Sequence, residues 1–156
     1  MTEYLAPELI YKCSRMVWST TSSKLWKIIR VLLFNVRSWF FDLRYKPISY
    51  IELTGALDKY ARMLEETGLE YTSDYFDCDD YALTFKSFVT KHYRTNAVGI
   101  ALGLLKKEGE VLGGHAWNIA LMSDGDLVFV EPQTREIIYG NVSSDGYEYE
   151  LQAVIW

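Results

Sequence analysis

The tripeptide Ser123-Asp124-Gly125 constrains this chain more than any other feature. It stands between His115–Met122 and Asp126–Val130, two runs dense in apolar residues, and the three together read as a β-hairpin. Turn length sets the register, and a one-residue slip turns every side chain to the other face. With Asp124-Gly125 as a two-residue turn, Ser123 pairs with Asp126, and His115 and Glu131 project from opposite faces. With a three-residue loop and Gly125 in the left-handed conformation, Met122 pairs with Asp126. His115 then lies diagonal to Glu131 on one face, within reach of two long side chains. The second register also collects Trp117, Ile119, Leu121, Leu127 and Phe129 on that face, and it is preferred for that reason. A helix should cover this bulky face, and the helix that begins at Cys78 is the expected cover.

That helix belongs to Tyr75–Phe88, YFDCDDYALTFKSF. Asp77 is a good N-cap, Asp80 adds negative charge to the first turn, and Cys78, Tyr81, Ala82, Phe85, Phe88 and Val89 recur at helical spacing. A thiol at a helix N-terminus is favoured as thiolate; a nearby imidazole supplies a base and a carboxylate orients that base. Cys78, His115 and Glu131 are therefore the candidate catalytic residues. Asp77, Asp79 and Asp80 oppose activation, because like charge disfavours the thiolate. The plain alternative is a thiol that serves as a small buried hydrophobe, beside a turn histidine and a strand-end carboxylate. A zinc reading of Cys78, His115, Glu131 and Asp80 is less economical, so neither metal nor cofactor is expected.

Upstream, Pro7 and Glu8 begin a short helix, and Ser19–Ser23 form a polar break. Lys24–Lys46 then reads as one amphipathic helix with a basic side and an aromatic-rich body, ended by Pro47. Such a helix packs on its own domain or on a second copy, or lies on a membrane surface. It is too interrupted by charge to span a bilayer. Thr54 is read as the cap of a helix from Gly55 to Thr67, with Gly68 as its C-terminal stop. Ala97–Leu105 reads as a buried strand and Tyr147–Trp156 as the last one. Helices first and an antiparallel sheet afterwards make the expected class α+β.

One domain, 1–156, is the expected organisation, with residues 1–50 as an N-terminal helical extension and 51–156 as the core. The net charge of −5 and pI near 5.1 exclude a general nucleic-acid binder. Two cysteines, Cys13 and Cys78, form neither a disulfide framework nor a CxxC pair. With charges interrupting the first residues, no secretory signal is read, and a reducing, cytoplasmic setting is expected.

DCDDYA, then GHAWN, then a strand ending FVEPQT resembles the transglutaminase-like branch of the papain-like cysteine enzymes, and is similar to the bacterial transglutaminase-like cysteine proteinases. The resemblance covers about residues 70–135. It implies a papain-like core with the nucleophile Cys78 at a helix start, His115 as its base and Glu131 before Pro132 as the orienting acid. The implied activity is a thiol-dependent hydrolase or acyltransferase that acts on an amide bond of a protein or peptide through an acyl-enzyme. Tyr75, Trp117 and Gln133 are the candidates for oxyanion or substrate contacts. The alternative is a non-catalytic binding or scaffolding protein on the same fold, with residues 24–46 as its interaction surface toward a membrane or a second copy.

Overall fold

A computed structural model describes residues 3–156. A helix α1 (Ala6–Ser19) starts behind a two-residue strand β1 (Tyr4–Leu5) and precedes α2 (Lys24–Arg37). The short strand β2 (Arg44–Tyr45) pairs with β1; α3 (Tyr50–Thr67) and α4 (Cys78–Tyr93) follow. Five strands complete the chain: β3 (Val98–Lys107), β4 (Glu110–Leu121), β5 (Leu127–Glu131), β6 (Glu136–Ile138) and β7 (Tyr147–Ile155). They form one antiparallel sheet in the order β6-β5-β4-β3-β7.

The hairpin takes the three-residue register. Leu121 pairs with Leu127 and Ile119 with Phe129; the Met122 N–H donates to the Asp126 carbonyl at 2.8 Å, and Gly125 has a φ of 91°. Trp117, Ile119, Leu121 and Phe129 are buried on one face as expected. The helix that covers them is a different one. Met16 of α1 lies with Leu127, Phe129 and Tyr149 on this bulky face. The cysteine helix α4 packs on the opposite face, where Cys78 and Ala82 meet Ile100, Leu102 and Ala116. Buried Asn118 ties the two layers, its amide donating to the Ala82 carbonyl at 2.9 Å and to the Gly99 carbonyl at 3.0 Å. Size explains the choice, since small residues at 116 and 120 let a helix approach closely, whereas Trp117 does not.

Three helix limits differ from the sequence reading. The amphipathic helix ends at Arg37 rather than running to Lys46. Trp39 instead bonds β7, donating to Val154 and accepting from Trp156, both at 2.8 Å, and the Val154 N–H donates to the Ser38 hydroxyl. Strand-like pairing with residues more than a hundred positions away outcompetes the next helical turn. α3 begins at Tyr50, because Ser49 and Glu52 form a reciprocal capping box; Thr54 is interior, its hydroxyl turned back to the Tyr50 carbonyl. Gly68 caps its end with φ 66°. The N-terminal helix is long rather than short, and its Leu9, Cys13 and Val17 join the main core.

Candidate functional site

α4 brings Cys78 to the sheet. The Asp77 carboxylate accepts from the Asp79 N–H and starts the helix, which places the cysteine in its first turn. The sulfur lies against the backbone N–H of Ala116, next in sequence to His115. Burial pushes the Cys78 thiol up, the Asp77 and Asp79 carboxylates push it further, and the Ala116 N–H offsets only part of this. At neutral pH the site therefore holds a thiol rather than a thiolate.

His115 lies on the bulky side of β4. Its Nε2 is 2.7 Å from Glu131 Oε2. A carboxylate only accepts, so Nε2 carries the proton in the neutral ring and Nδ1 keeps its lone pair. The Glu131 carboxylate is buried and collects two further donors, the Tyr149 hydroxyl and the Gln133 N–H, each at 3.3 Å. Burial and the adjacent Glu131 charge hold Tyr149 protonated, as that donation requires. The imidazole stacks on Trp117 at a centroid distance of 5.9 Å and meets Tyr149 at the same distance. Histidine and glutamate are thus held in a packed aromatic box.

Cys78 and His115 open onto one pocket of about 440 Å³, shared with Arg37, Asp79, Leu102 and Gln152 and floored by Gly103 and Gly114. That volume suits a small ligand. As site residues Arg37, Leu102, Gly103, Gly114 and Gln152 escaped the sequence reading. Between β3 and β7 the register slips: Gly103 pairs with Leu151 and Leu102 with Ala153, which leaves Gln152 as the extra residue of a bulge. A Cβ on Gly103 would overlap the Glu150 carbonyl oxygen and come within 2.9 Å of the Trp117 ring. The glycine inside the apolar run AVGIALGLL was the available signal, because glycine in a strand interior marks a bulge or a close approach. Arg37 carried none, since its place depends on where α2 ends.

The weaker candidates fall outside this pocket. Trp117 is fully buried and is a core residue. Tyr75 sits in a turn, 85% exposed. Gln133 lines a separate groove of about 420 Å³ with Tyr81 and Pro132. For a metal, Asp77, Cys78 and Asp79 place three donor atoms within 4.8 Å of one another, one short of a closed zinc set.

Residues 47–154 match the family of the ricin-type beta-trefoil lectin C-terminal domain. The chain belongs to that family. As a lectin C-terminal domain it is also similar to two solved structures, each over 99% of its length at 16% identity. One is a PSL1a–E64 complex, with a TM-score of 0.66. The other is the Polyporus squamosus lectin bound to the human-type influenza-binding epitope Neu5Acα2-6Galβ1-4GlcNAc, with a TM-score of 0.59. The chain spans about half of each, 51% and 49%. No curated protein matches it by sequence.

These findings overturn the transglutaminase-like resemblance, and with it the papain-like core and the thiol-dependent hydrolase or acyltransferase. The motifs that carried it are short, and the His115–Glu131 pair behind them is explained without chemistry as a prop of β4 and β5, the buried Glu131 carboxylate accepting from His115 and Tyr149.

Proposed function

We propose that the chain is a non-catalytic ligand-binding domain of a lectin-type protein, organised as one unit over residues 1–156, and that its ligand site is the pocket between the start of α4 and the β3–β4–β7 sheet. The observation that carries this is the pocket itself, where charged and polar groups (Arg37, Asp79, His115, Gln152) face the apolar wall Leu102, Ala116 and Ala153 on rigid elements. Polar groups fix the orientation of a saccharide, and apolar wall takes its C–H faces. Cys78, His115 and Glu131 belong to this proposal as wall, contact and positioning residue respectively. The cytoplasmic setting expected from the sequence stays part of it.

A sialylated glycan is the first ligand to try, because Arg37 offers a guanidinium to a carboxylate and the Polyporus squamosus lectin holds such an epitope. Titration calorimetry with Neu5Acα2-6Galβ1-4GlcNAc and with the asialo disaccharide tests this. Binding that prefers the sialylated form and falls about tenfold or more in Arg37→Ala is expected, an Arg–carboxylate pair contributing on the order of 1.5–3 kcal/mol. No heat with either glycan would contradict it. E64, the compound in the PSL1a complex, is the second probe. E64 retained by the wild type and lost in Cys78→Ala would give this pocket a ligand other than a glycan.

A second face supports macromolecular contact. α2 and the segment to Leu43 form an exposed apolar surface, proposed as the domain's interaction face.

A further inference from the structure

Residues 9–41 hold six of the chain's sixteen cations and none of its twenty-one carboxylates. This stretch contains α1 from Leu9 onward and all of α2, and the two helices differ in what they bury. α1 turns Leu9, Cys13 and Val17 into the core, whereas α2, of equal length, has one fully buried side chain, Phe34. At 100° per residue, Phe34 defines the inward side of α2. Leu25, Ile28, Leu32 and Val36 fill the opposite arc with Trp26 and Leu33 on its flank, and all are exposed, Leu25 at 66% and Val36 at 82%. Trp39, Phe41 and Leu43 prolong this surface beyond the helix. Lys24 stands exposed at one end; Arg37, at the other, is exposed on the flank that also carries Arg30, and Lys27 and Arg30 are engaged by Trp18 and Glu150.

A soluble helix normally presents its polar side to water; this one presents its apolar side. Solvent is therefore not the final partner of the face. Charge chooses among the occupants. Two copies that paired along α2 would bring cationic ends together with no carboxylate on either helix to meet them, and Asp42, in the segment beyond, is engaged by the Asn96 amide. A transmembrane helix is excluded by length, since none among the described residues is long and apolar enough to cross a bilayer. An apolar face about 21 Å long, with tryptophan at the boundary and cations at its rim, fits the headgroup region of an anionic bilayer.

We propose that the α2 face docks on anionic phospholipid membranes, Leu25, Leu32 and Val36 entering the acyl boundary and Lys24 meeting the headgroups. This rests on the reading of α2 as an interaction face. It sets the pocket beside Arg37 close to the membrane.

The test is cosedimentation of the full chain with phosphatidylcholine vesicles, with and without about one third phosphatidylserine. Light scattering gives the mass of the free protein, and Leu32→Ser/Val36→Ser and Lys24→Gln are the variants. Both altered apolar side chains are exposed, so melting temperatures should not move. The expected result is sedimentation with the anionic vesicles only, weakened by salt. It should be about fivefold weaker in Lys24→Gln and roughly tenfold weaker or less measurable in the double variant. Failure to sediment, or equal sedimentation of the double variant, overturns the proposal. If that failure comes with a dimer that Leu32→Ser/Val36→Ser dissolves, the occupant is a second copy and the interaction face stands. If it comes with a monomer in every variant, the interaction face falls as well.

Discussion

β4 and α2 are both rich in large apolar side chains, and they use them in opposite ways. Along β4, Trp117, Ile119 and Leu121 are completely buried, His115 is fastened to Glu131, and Asn118 bridges to α4. Each position there is determined by several partners at once. Along α2 six of the nine apolar residues are exposed, and the helix is held by Phe34 and Val31, by the Arg30–Glu150 contact and by the pairing of Trp39 with β7. Hydrophobic content alone therefore does not say what is inside. What distinguishes the two is whether neighbouring elements leave room for the side chain. The sheet is an interior, and α2 is a surface.

This contrast is open to mutation, and the largest effect belongs to Gly103. Gly103→Ala puts a methyl group into the Glu150 carbonyl and against Trp117, in the middle of the sheet where nothing yields. A loss of about 4 kcal/mol or more in denaturant unfolding is expected. A loss below about 1 kcal/mol would mean that the bulge is far softer than described. Glu131→Ala comes next. It strands the His115 N–H, the Tyr149 hydroxyl and the Gln133 N–H in a buried site, for a loss of about 3 kcal/mol. Unchanged stability there would show that the pair is not a structural prop and would reopen its role in the pocket.

A smaller effect follows at the seam between the two regions. Glu150 receives Lys106 and Arg30. Burial works to raise its carboxyl, but the two cations prevail and hold it below the ordinary carboxylate range. A carboxyl lowered in the folded state stabilises above its unfolded pKa, and that contribution disappears as pH falls through the folded pKa. Glu150→Gln should thus cost about 1 kcal/mol at pH 7 and nothing measurable once the wild-type carboxyl is protonated. A difference independent of pH would assign the loss to packing instead. The smallest effect is expected on α2, where Val36→Ser should change stability by no more than about 0.5 kcal/mol. A clear destabilisation would show that the face is covered within the domain itself.

The same contrast explains how much was legible in the sequence. The hairpin register could be read because Ser123-Asp124-Gly125 and the strands beside it carry the whole instruction locally, and so could the Asp77 cap and the Gly68 stop. The His115–Glu131 approach followed from that register alone. What could not be read depends on residues far apart in the chain. α2 stops at Arg37 because β7 offers Trp39 a backbone partner, and the pocket gains Gln152 because β3 and β7 slip by one residue. The face taken by α4 is decided by the small residues at 116 and 120 competing with a tryptophan at 117. The family was misread because a cysteine at a helix start and a bonded histidine–glutamate pair make a pattern that a binding fold also presents. Burial, with the Asp77 and Asp79 charges beside it, raises the Cys78 thiol, and of these causes only the aspartates were visible in the sequence.

The central claim is that ligand enters the pocket between α4 and the sheet. Its most direct measurement is a titration of ¹⁵N-labelled protein with Neu5Acα2-6Galβ1-4GlcNAc, followed through the backbone amide resonances. The account predicts saturable shifts gathered at Leu102, Gly103, Gly114, His115, Ala116 and Gln152, with α3 and β6 silent. Shifts gathered elsewhere, or a spectrum that does not respond to the glycan, would contradict it.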